Sequence, residues 1–482
     1  MKYSSINNGV PLLMGLDLGT SAIKGIIMSA SGDIVAQEKK ATKLLRSKDG
    51  NRVEFCAEEQ YRIICELIRS MLKNVPDKRS VKAICMAAAS GNALLLDKEM
   101  KPLTKVASWL DRRAIEDDID LKIDPQKVYG SAGWPLNSKW FPLAQFAWQK
   151  QKNADVYSQA KRFCMDTDYL LFRLCGKWGM DYSTATTFFL QDQKKLEWNK
   201  DLIAELGMPE TSLSQLMSSG TVLGSISKKA SEQTSLSEDA KVITGSFDHP
   251  SAARGAGVLA SGDLLLSCGT SWVGFYPIEN REKALSQNML IDPFLSPGGG
   301  PWGGMFSLAC IGENINEMLK QLIDAPESER HKTFDALAAK APPGANGLRI
   351  NPLKDKRLEL MGACKEDACR AIMEGAAFCM REKIEELSSA GIKANNITMA
   401  GGPSQSPVWP QILADITGLE LKLFNGQNAG AAGAAILAGI GTGIFKNETE
   451  AFTNIKREIK VVLPDKGTCE KYDYLFEASK NV

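Results

Sequence analysis

Residues 14–28, MGLDLGTSAIKGIIM, and residues 264–276, LLLSCGTSWVGFY, carry one pattern twice: an apolar strand, a Gly-Thr-Ser turn and a second apolar strand. The copies are offset by 250 residues, about half of the 482-residue chain. A Gly-Thr-Ser turn between strands presents backbone N–H groups and two hydroxyls, which suit the oxygens of a phosphate. Gly19 and Gly269 would let the main chain approach a ligand there. One such turn reads as an ordinary hairpin. Two in matching strand contexts predict a duplicated fold with two hairpins facing one polyphosphate. The copies differ at a position that matters: Asp17 precedes the first turn, and Ser267 holds the matching place in the second. The carboxylate suits a water-coordinated Mg2+, whereas the serine offers only neutral donors.

Outward from these turns, helix and strand signals alternate. Residues 12–16 and 23–28 read as strands, and 34–38 follows a Ser31-Gly32-Asp33 turn. Over 58–73, Tyr61, Ile64, Ile68, Met71 and Leu72 share one helical face, widened by Ile63 and Leu67. Strands are expected at 82–87 and 93–97, then a loop-rich region with Trp109, Trp134, Trp140 and Trp148. Asp166 or Thr167 would cap a helix over 169–174 that Gly176 ends. Short strands follow at 223–226 and 242–244. The second half repeats the alternation, with strands near 263–276, 396–400 and 420–424 and helices near 366–388, 407–417 and 429–439. Such mixing predicts an α/β class.

A third element is Ala400-Gly-Gly-Pro-Ser-Gln-Ser-Pro, between the apolar strand 396–399 and a helix from Val408. It suits a flat adenine or ribose lying on backbone, and equally a plain loop. The run Gly430–Gly443 is rich in small residues over 14 positions, too short to span a bilayer, and reads as a helix packed closely on a sheet.

Composition narrows the partner. Lys and Arg number 58 against 57 Asp and Glu, so no basic stripe is available for nucleic acid. No apolar run reaches membrane-spanning length, which leaves no membrane partner and a cytoplasmic location as the expectation. Eleven scattered cysteines read as reduced thiols. With two histidines, His249 and His331, Ser-His or Cys-His catalysis has few ways to form. His331 lies in a polar helical stretch and reads as solvated surface.

In order along the chain stand Asp17-Leu-Gly-Thr-Ser, Trp109-Leu-Asp-Arg-Arg, Asp166-Thr-Asp-Tyr-Leu, Gly245-Ser-Phe-Asp-His, Cys268-Gly-Thr-Ser and Gly401-Gly-Pro-Ser-Gln-Ser-Pro-Val-Trp-Pro. Through these motifs the chain resembles the FGGY carbohydrate kinase family, above all its xylulokinase-like members. The resemblance implies two duplicated ribonuclease H-like (actin-like ATPase) domains of the actin and hexokinase type, with the active site in the cleft between them. We place the domains at 12–246 and 247–482, with the boundary just before Asp248.

The resemblance further implies ATP and Mg2+ and a sugar or polyol acceptor, with a homodimer left open as a partner. Asp248 would be the general base. Read on its own it would cap the helix that follows, and both roles can coexist; the helix N-terminus would keep its carboxylate ionised. Thr20 and Ser21 would meet the terminal phosphates from one side, and Gly269 and Thr270 from the other. Lys24 would help neutralise charge or serve as a solvated strand residue. Asp17 and Asp248 would hold Mg2+ through water, and Gly312, Asn316, Gly401, Gly402 and Ser406 would line the nucleotide. On the acceptor side, relatives carry Gln-Met-His or Gln-Arg-Glu where this chain has Ala89-Ser90-Gly91-Asn92, leaving Ser90 and Asn92 as neutral hydrogen-bonders. Trp109, Asp111 and Arg112 match the family's substrate-facing loop, or form an ion pair beside a core tryptophan. His249 follows the base and touches substrate or makes a structural bond. A non-catalytic actin-like nucleotide-binding protein and a Ser/His hydrolase are the competing readings.

Overall fold

A computed structural model of the chain describes residues 10–89, 91–121, 123–135, 141–355, 362–456 and 459–480. The strands that build its sheets are β1 (Leu12–Leu18), β2 (Ala22–Ser29), β3 (Ile34–Ala41), β4 (Val81–Ala88), β5 (Val222–Ser225), β6 (Lys241–Phe247), β7 (Asp263–Cys268), β8 (Trp272–Ile278), β9 (Trp302–Leu308), β10 (Asn396–Gly401), β11 (Glu420–Leu423) and β12 (Lys460–Val462). The helices needed below are α1 (Ala57–Leu72), α2 (Asp166–Cys175), α3 (Asp248–Ala256), α4 (Ile311–Leu322), α5 (Glu327–Ala338), α6 (Lys365–Ser389), α7 (Trp409–Thr417) and α8 (Ala429–Gly441).

The chain forms two compact units. The first gathers Met1–Leu259, Asn288–Gly303 and Asn428–Arg457; the second gathers Ala260–Gln287, Gly304–Gln427 and Glu458–Val482. In the first, the strands lie side by side in the order β5-β6-β4-β1-β2-β3. β1, β2 and β3 run antiparallel, β4 and β6 run parallel to β1, and β5 is antiparallel at the edge. In the second, β9, β8, β7, β10, β11 and β12 follow one another. β7 and β8 are antiparallel, β10 and β11 run parallel to β7, and β12 is an antiparallel edge. Six strands of each unit thus follow one order, with Leu290–Asp292 added beyond β9 in the second sheet, and the Gly-Thr-Ser turns join corresponding antiparallel strands in each. The 250-residue echo marks a duplicated α/β fold.

α1 follows the predicted face. Tyr61, Ile64, Leu67, Ile68 and Met71 are buried against β2 and β3, and Glu58, Glu59 and Arg69 offset the helix dipole at its two ends. Each fully buried aliphatic side chain stabilises by about 1.5–3 kcal/mol, well above any propensity term. α2 starts earlier than the sequence suggests. Met165 is its N-cap and donates its N–H to Asp168 Oδ1 at 2.7 Å, while Asp166 is a buried residue of the first turn.

α8, the small-residue helix, has four glycines that each cost about 1 kcal/mol of helix propensity. They permit a close approach instead. A Cβ on Gly433 would meet Ser251 O at 1.9 Å, and one on Gly255 would meet Ala429 O at 2.0 Å, so α8 and α3 touch backbone to backbone. On its other side α8 packs on β1, where a Cβ on Gly15 would lie 1.9 Å from Ala431 O. This contact redraws the expected division at 246/247. β6 belongs to the first sheet and runs straight into α3, and α8 clasps α3 there, so Asp248 sits in the first unit.

Candidate functional site

The first turn is built from inside its own unit. Asp17 and Lys24 are direct cross-strand partners, with Lys24 Nζ 3.9 Å from Asp17 Oδ2. The Asp17 carboxylate also faces α8, where a Cβ on Gly430 would stand 2.9–3.2 Å from its atoms. Burial, then the negative charge of Asp248, lifts its pKa from 3.8 to about 6, and Lys24 opposes them. Thr20 Oγ1 accepts a hydrogen bond from Trp109 Nε1 at 2.8 Å. Gly19 O accepts from Thr42 Oγ1 at 3.2 Å, and Ser21 is exposed.

Behind Thr20 runs a polar network that joins three of the sequence motifs. Trp109 N donates to Asn92 Oδ1 at 3.1 Å, and Asn92 Nδ2 donates to Asp166 Oδ1 at 2.9 Å. Gln60 Nε2 donates to Asp166 Oδ2 at 2.7 Å. Burial raises the Asp166 pKa against the pull of these two amides. Asn92 is 6% exposed, with its oxygen and its amide both engaged, so it holds Trp109 rather than meeting a substrate. Asp111 is likewise redirected. It is 0% exposed and accepts from Val53 N at 2.8 Å, Arg113 N at 3.1 Å and the Arg113 guanidinium at 2.7 and 2.8 Å. Its charge is spent on Arg113 and on the backbone of Val53. Arg112 is exposed and lies 3.8 Å from Glu116. Ser90 falls outside the described residues, as does Trp140.

Asp248 is the first residue of α3, after the N-cap Phe247. β6 extends to Phe247 rather than turning at Gly245-Ser246; Gly245 is required because a Cβ would meet Met86 O of β4 at 1.7 Å. Asp248 Oδ1 accepts from His249 N at 2.7 Å. Its pKa is nevertheless raised: burial outweighs His249 and the helix N–H groups, contrary to the expected depression. The His249 ring stands edge-on to Phe247 at 5.5 Å.

In the second unit the turn Gly269-Thr270-Ser271 is more exposed and sits on the start of α4. Gly312 N and Glu313 N donate to Thr270 O at 2.9 and 3.2 Å, and Cys310 N donates to Ser271 Oγ at 2.9 Å. Gly312 fits only as glycine, since a Cβ would lie 2.1 Å from Gly269 O. Gly401, at φ +102°, ends β10 with its Cα hydrogens against Cys268 O. Next to these backbones lies a cavity of ≈ 930 Å3, lined by Gly269, Gly312, Asn316, Gly402 and Ser406 among others. Thr270 and Gly401 border it without lining it. One wall, which the sequence does not disclose, is α5: His331, Phe334 and Asp335 line the cavity. Trp409 packs between Trp272 and Phe334, ring centroids 5.5 and 5.6 Å away. Ser406 Oγ donates to Asp335 Oδ1 at 2.6 Å and accepts from Trp409 N at 3.0 Å, tying α5 to the start of α7. Burial raises the Asp335 pKa, with Ser406 and then His331 opposing. α5 escaped notice because its composition is that of a solvated helix; His331 is indeed exposed, at a cavity wall.

A cavity of this size, floored by apolar side chains and edged by glycine backbone, suits a nucleoside with phosphates attached. A half-buried carboxylate pair in the other unit suits proton transfer. Among the described residues no three His, Cys, Asp or Glu side chains cluster as a metal cage, and no helix is long and apolar enough to cross a membrane.

The chain is 27% identical to the xylulose kinase of Bacillus subtilis, covering 98% of this chain and 96% of the relative. It is 27% identical to the autoinducer-2 kinase of Salmonella paratyphi A, covering 92% and 89%. The crystal structure of xylulose kinase from Rhodospirillum rubrum shares the fold at a TM-score of 0.87 and 22% identity, over 97% of each chain. Family models match on both sides of Asp263: the N-terminal domain of the FGGY family of carbohydrate kinases over residues 12–255 and its C-terminal domain over 264–442. With both halves matched in order and one strand order used twice, the chain belongs to the FGGY family of carbohydrate kinases.

Proposed function

We propose that this carbohydrate kinase transfers the γ-phosphoryl group of ATP to a hydroxyl of a ketose, another monosaccharide or a polyol, with Asp248 as the general base. The observation that carries the reading is the carboxylate pair of the first unit. The negative charge of Asp248 acts on Asp17, and burial makes both carboxylates hold a proton more strongly than a surface carboxylate. A base raised in this way takes the proton of an attacking hydroxyl more readily, an effect worth about 10²–10⁴ in rate.

The remaining roles follow from what each residue exposes. Thr20, Ser21 and Lys24 would meet terminal phosphate oxygens; Gly269 and Thr270 are the second unit's candidates for the same role. Gly312, Asn316, Gly402 and Ser406 would hold adenosine in the cavity, with Gly401 supporting the turn. Mg2+ fits the residues present: Asp17 accepts no hydrogen bond from the described residues, and a site of one or two carboxylates completed by phosphates and water is what the ion prefers. Asp17 and Asp248 would hold it, and when bound it would neutralise phosphate charge. With Asn92 and Asp111 engaged elsewhere, His249 and the half-buried face of Trp109 are the described groups left to meet the acceptor.

The test is an ADP-release screen with ATP across ketoses, aldoses and polyols, including xylulose and autoinducer-2, for which relatives are named. Acceptor-stimulated release that Asp248→Asn abolishes supports the reading. No stimulation by any acceptor, or near-wild-type turnover in the variant, overturns it.

A further inference from the structure

Phe247, the cap of the helix that carries Asp248, is held by parts of the chain remote in sequence. Its N–H donates to Ser183 Oγ at 3.0 Å, and Ser183 Oγ donates to Asp292 Oδ2 at 2.7 Å. The other Asp292 oxygen accepts from Phe294 N at 2.7 Å. Ser183 and Asp292 are 1% and 0% exposed. Arg254, in the last turn of the same helix, donates through Nη2 to Phe294 O at 3.0 Å and lies 4.7 Å from the centre of the Phe294 ring. The short segment Asp292–Phe294 therefore grips α3 at both ends. The segment is itself fixed: Ile291 N donates to Gly133 O at 2.9 Å, and Ile291 O accepts from Trp134 Nε1 at 3.1 Å and Gln193 Nε2 at 2.9 Å. The Trp134 ring closes the loop by packing edge-on to Phe247 at 5.5 Å.

We infer that Ser183 and Asp292 are positioning residues that set the place of the Asp248 carboxylate through the Phe247 N–H, an inference that rests on Asp248 being the base. The polarity of the chain of bonds is forced. Both oxygens of Asp292 face donors, so the Ser183 proton points to the carboxylate and leaves a lone pair for Phe247 N–H. Asparagine does not reproduce this carboxylate: with its oxygen kept on Phe294 N–H, its NH2 faces Ser183 Oγ, which turns the buried Ser183 proton away from its acceptor and reverses that bond. Alanine at 183 leaves the buried Phe247 N–H without an acceptor. Either change lets the first turn of α3 shift, and a displacement of about 1 Å at a reacting group costs up to ~10²-fold in rate.

The experiment compares Asp292→Asn, Ser183→Ala, their double variant, Ser183→Thr and Asp248→Asn, reading kcat, both KM values, ADP affinity and melting temperature. The expected result is a fall in kcat of roughly 10- to 100-fold for Asp292→Asn and Ser183→Ala. ADP affinity and KM for ATP should stay within about twofold, and the double variant should be no slower than the slower single one. Ser183→Thr, which restores the hydroxyl, should recover most of kcat. A purely structural role would lower the melting temperature and leave kcat per folded molecule within about twofold, and that result overturns the inference. Asp292→Asn is close to isosteric and keeps the test decisive if the Ser183 variants do not fold. Asp248→Asn separates the two failures: rapid turnover in that variant removes the base itself, whereas a slow Asp248→Asn beside rapid Asp292→Asn removes only the positioning role.

Discussion

The hairpin at Gly19-Thr20-Ser21 is backed by a tryptophan N–H on Thr20, a lysine across from its aspartate and a buried amide-carboxylate network behind it. Among the described residues the hairpin at Gly269-Thr270-Ser271 has none of these; its supports are backbone N–H groups and a glycine that lets α4 settle against it. Six strands follow the same order in the two units. The duplication therefore preserved the main chain while the side chains diverged. Around the first turn the supports are charged and amide side chains; around the second they are mainly close-packed backbone.

The sharpest way to break this comparison is Asp248→Asn, with an expected loss of about 10²–10⁴ in kcat and unchanged ADP affinity, since the nucleotide cavity belongs to the other unit. Steady-state kinetics beside ADP titration measures both; a parallel loss of ADP affinity would mean the division of labour is mistaken. On the second hairpin, Gly312→Ala forces a Cβ within 2.1 Å of Gly269 O. Overpacking of that kind costs about 1–3 kcal/mol, which on ATP affinity is roughly 5- to 150-fold. Gly298→Ala, away from that cavity and with nothing within 4 Å of the new carbon, is the control and should stay near wild type.

Asp17 gives a stability prediction of opposite sign to most active-site losses. Its native pKa of about 6 exceeds the ordinary 3.8, so the native state binds more protons than the unfolded state between those values. Stability then falls as pH rises through that window, and the penalty is complete above it. Asp17→Asn should raise the melting temperature of the ligand-free protein near pH ~8, by an amount worth about 1–3 kcal/mol, and lose the advantage near pH ~4, while turning over slowly. Equal melting temperatures at the higher pH would show that Lys24 fully offsets the charge. The smallest effects come from single hydrogen bonds worth about 1 kcal/mol each. Trp109→Phe should act on kcat and acceptor KM alone, and Ser406→Ala on KM for ATP alone; the reverse pattern would merge the two regions.

Much of this was legible along the chain. The two turns, the α1 face, the close-packed helix at Gly430 and the strand leading to Asp248 are local signals of period and spacing. Asn92 and Asp111 were not legible in their true roles. Small polar residues near a substrate motif read as ligands, yet their partners are Asp166, Trp109 and Arg113, and only folding shows that every donor and acceptor is already used. The Phe247–Ser183–Asp292 chain joins residues up to 109 positions apart and leaves no periodic trace.

The sequence by itself determined a duplicated α/β kinase and pointed to two candidate phosphate turns and a candidate base, because each rests on a short run of residues whose backbone needs are local. Only the tertiary structure decided which unit holds Asp248, which polar groups are already engaged, and that α5 walls the large cavity of the second unit. Those depend on contacts between segments far apart in the chain. Burial there sets the direction of the pKa shifts, and a hydrogen bond made inside the fold is no longer available to a ligand.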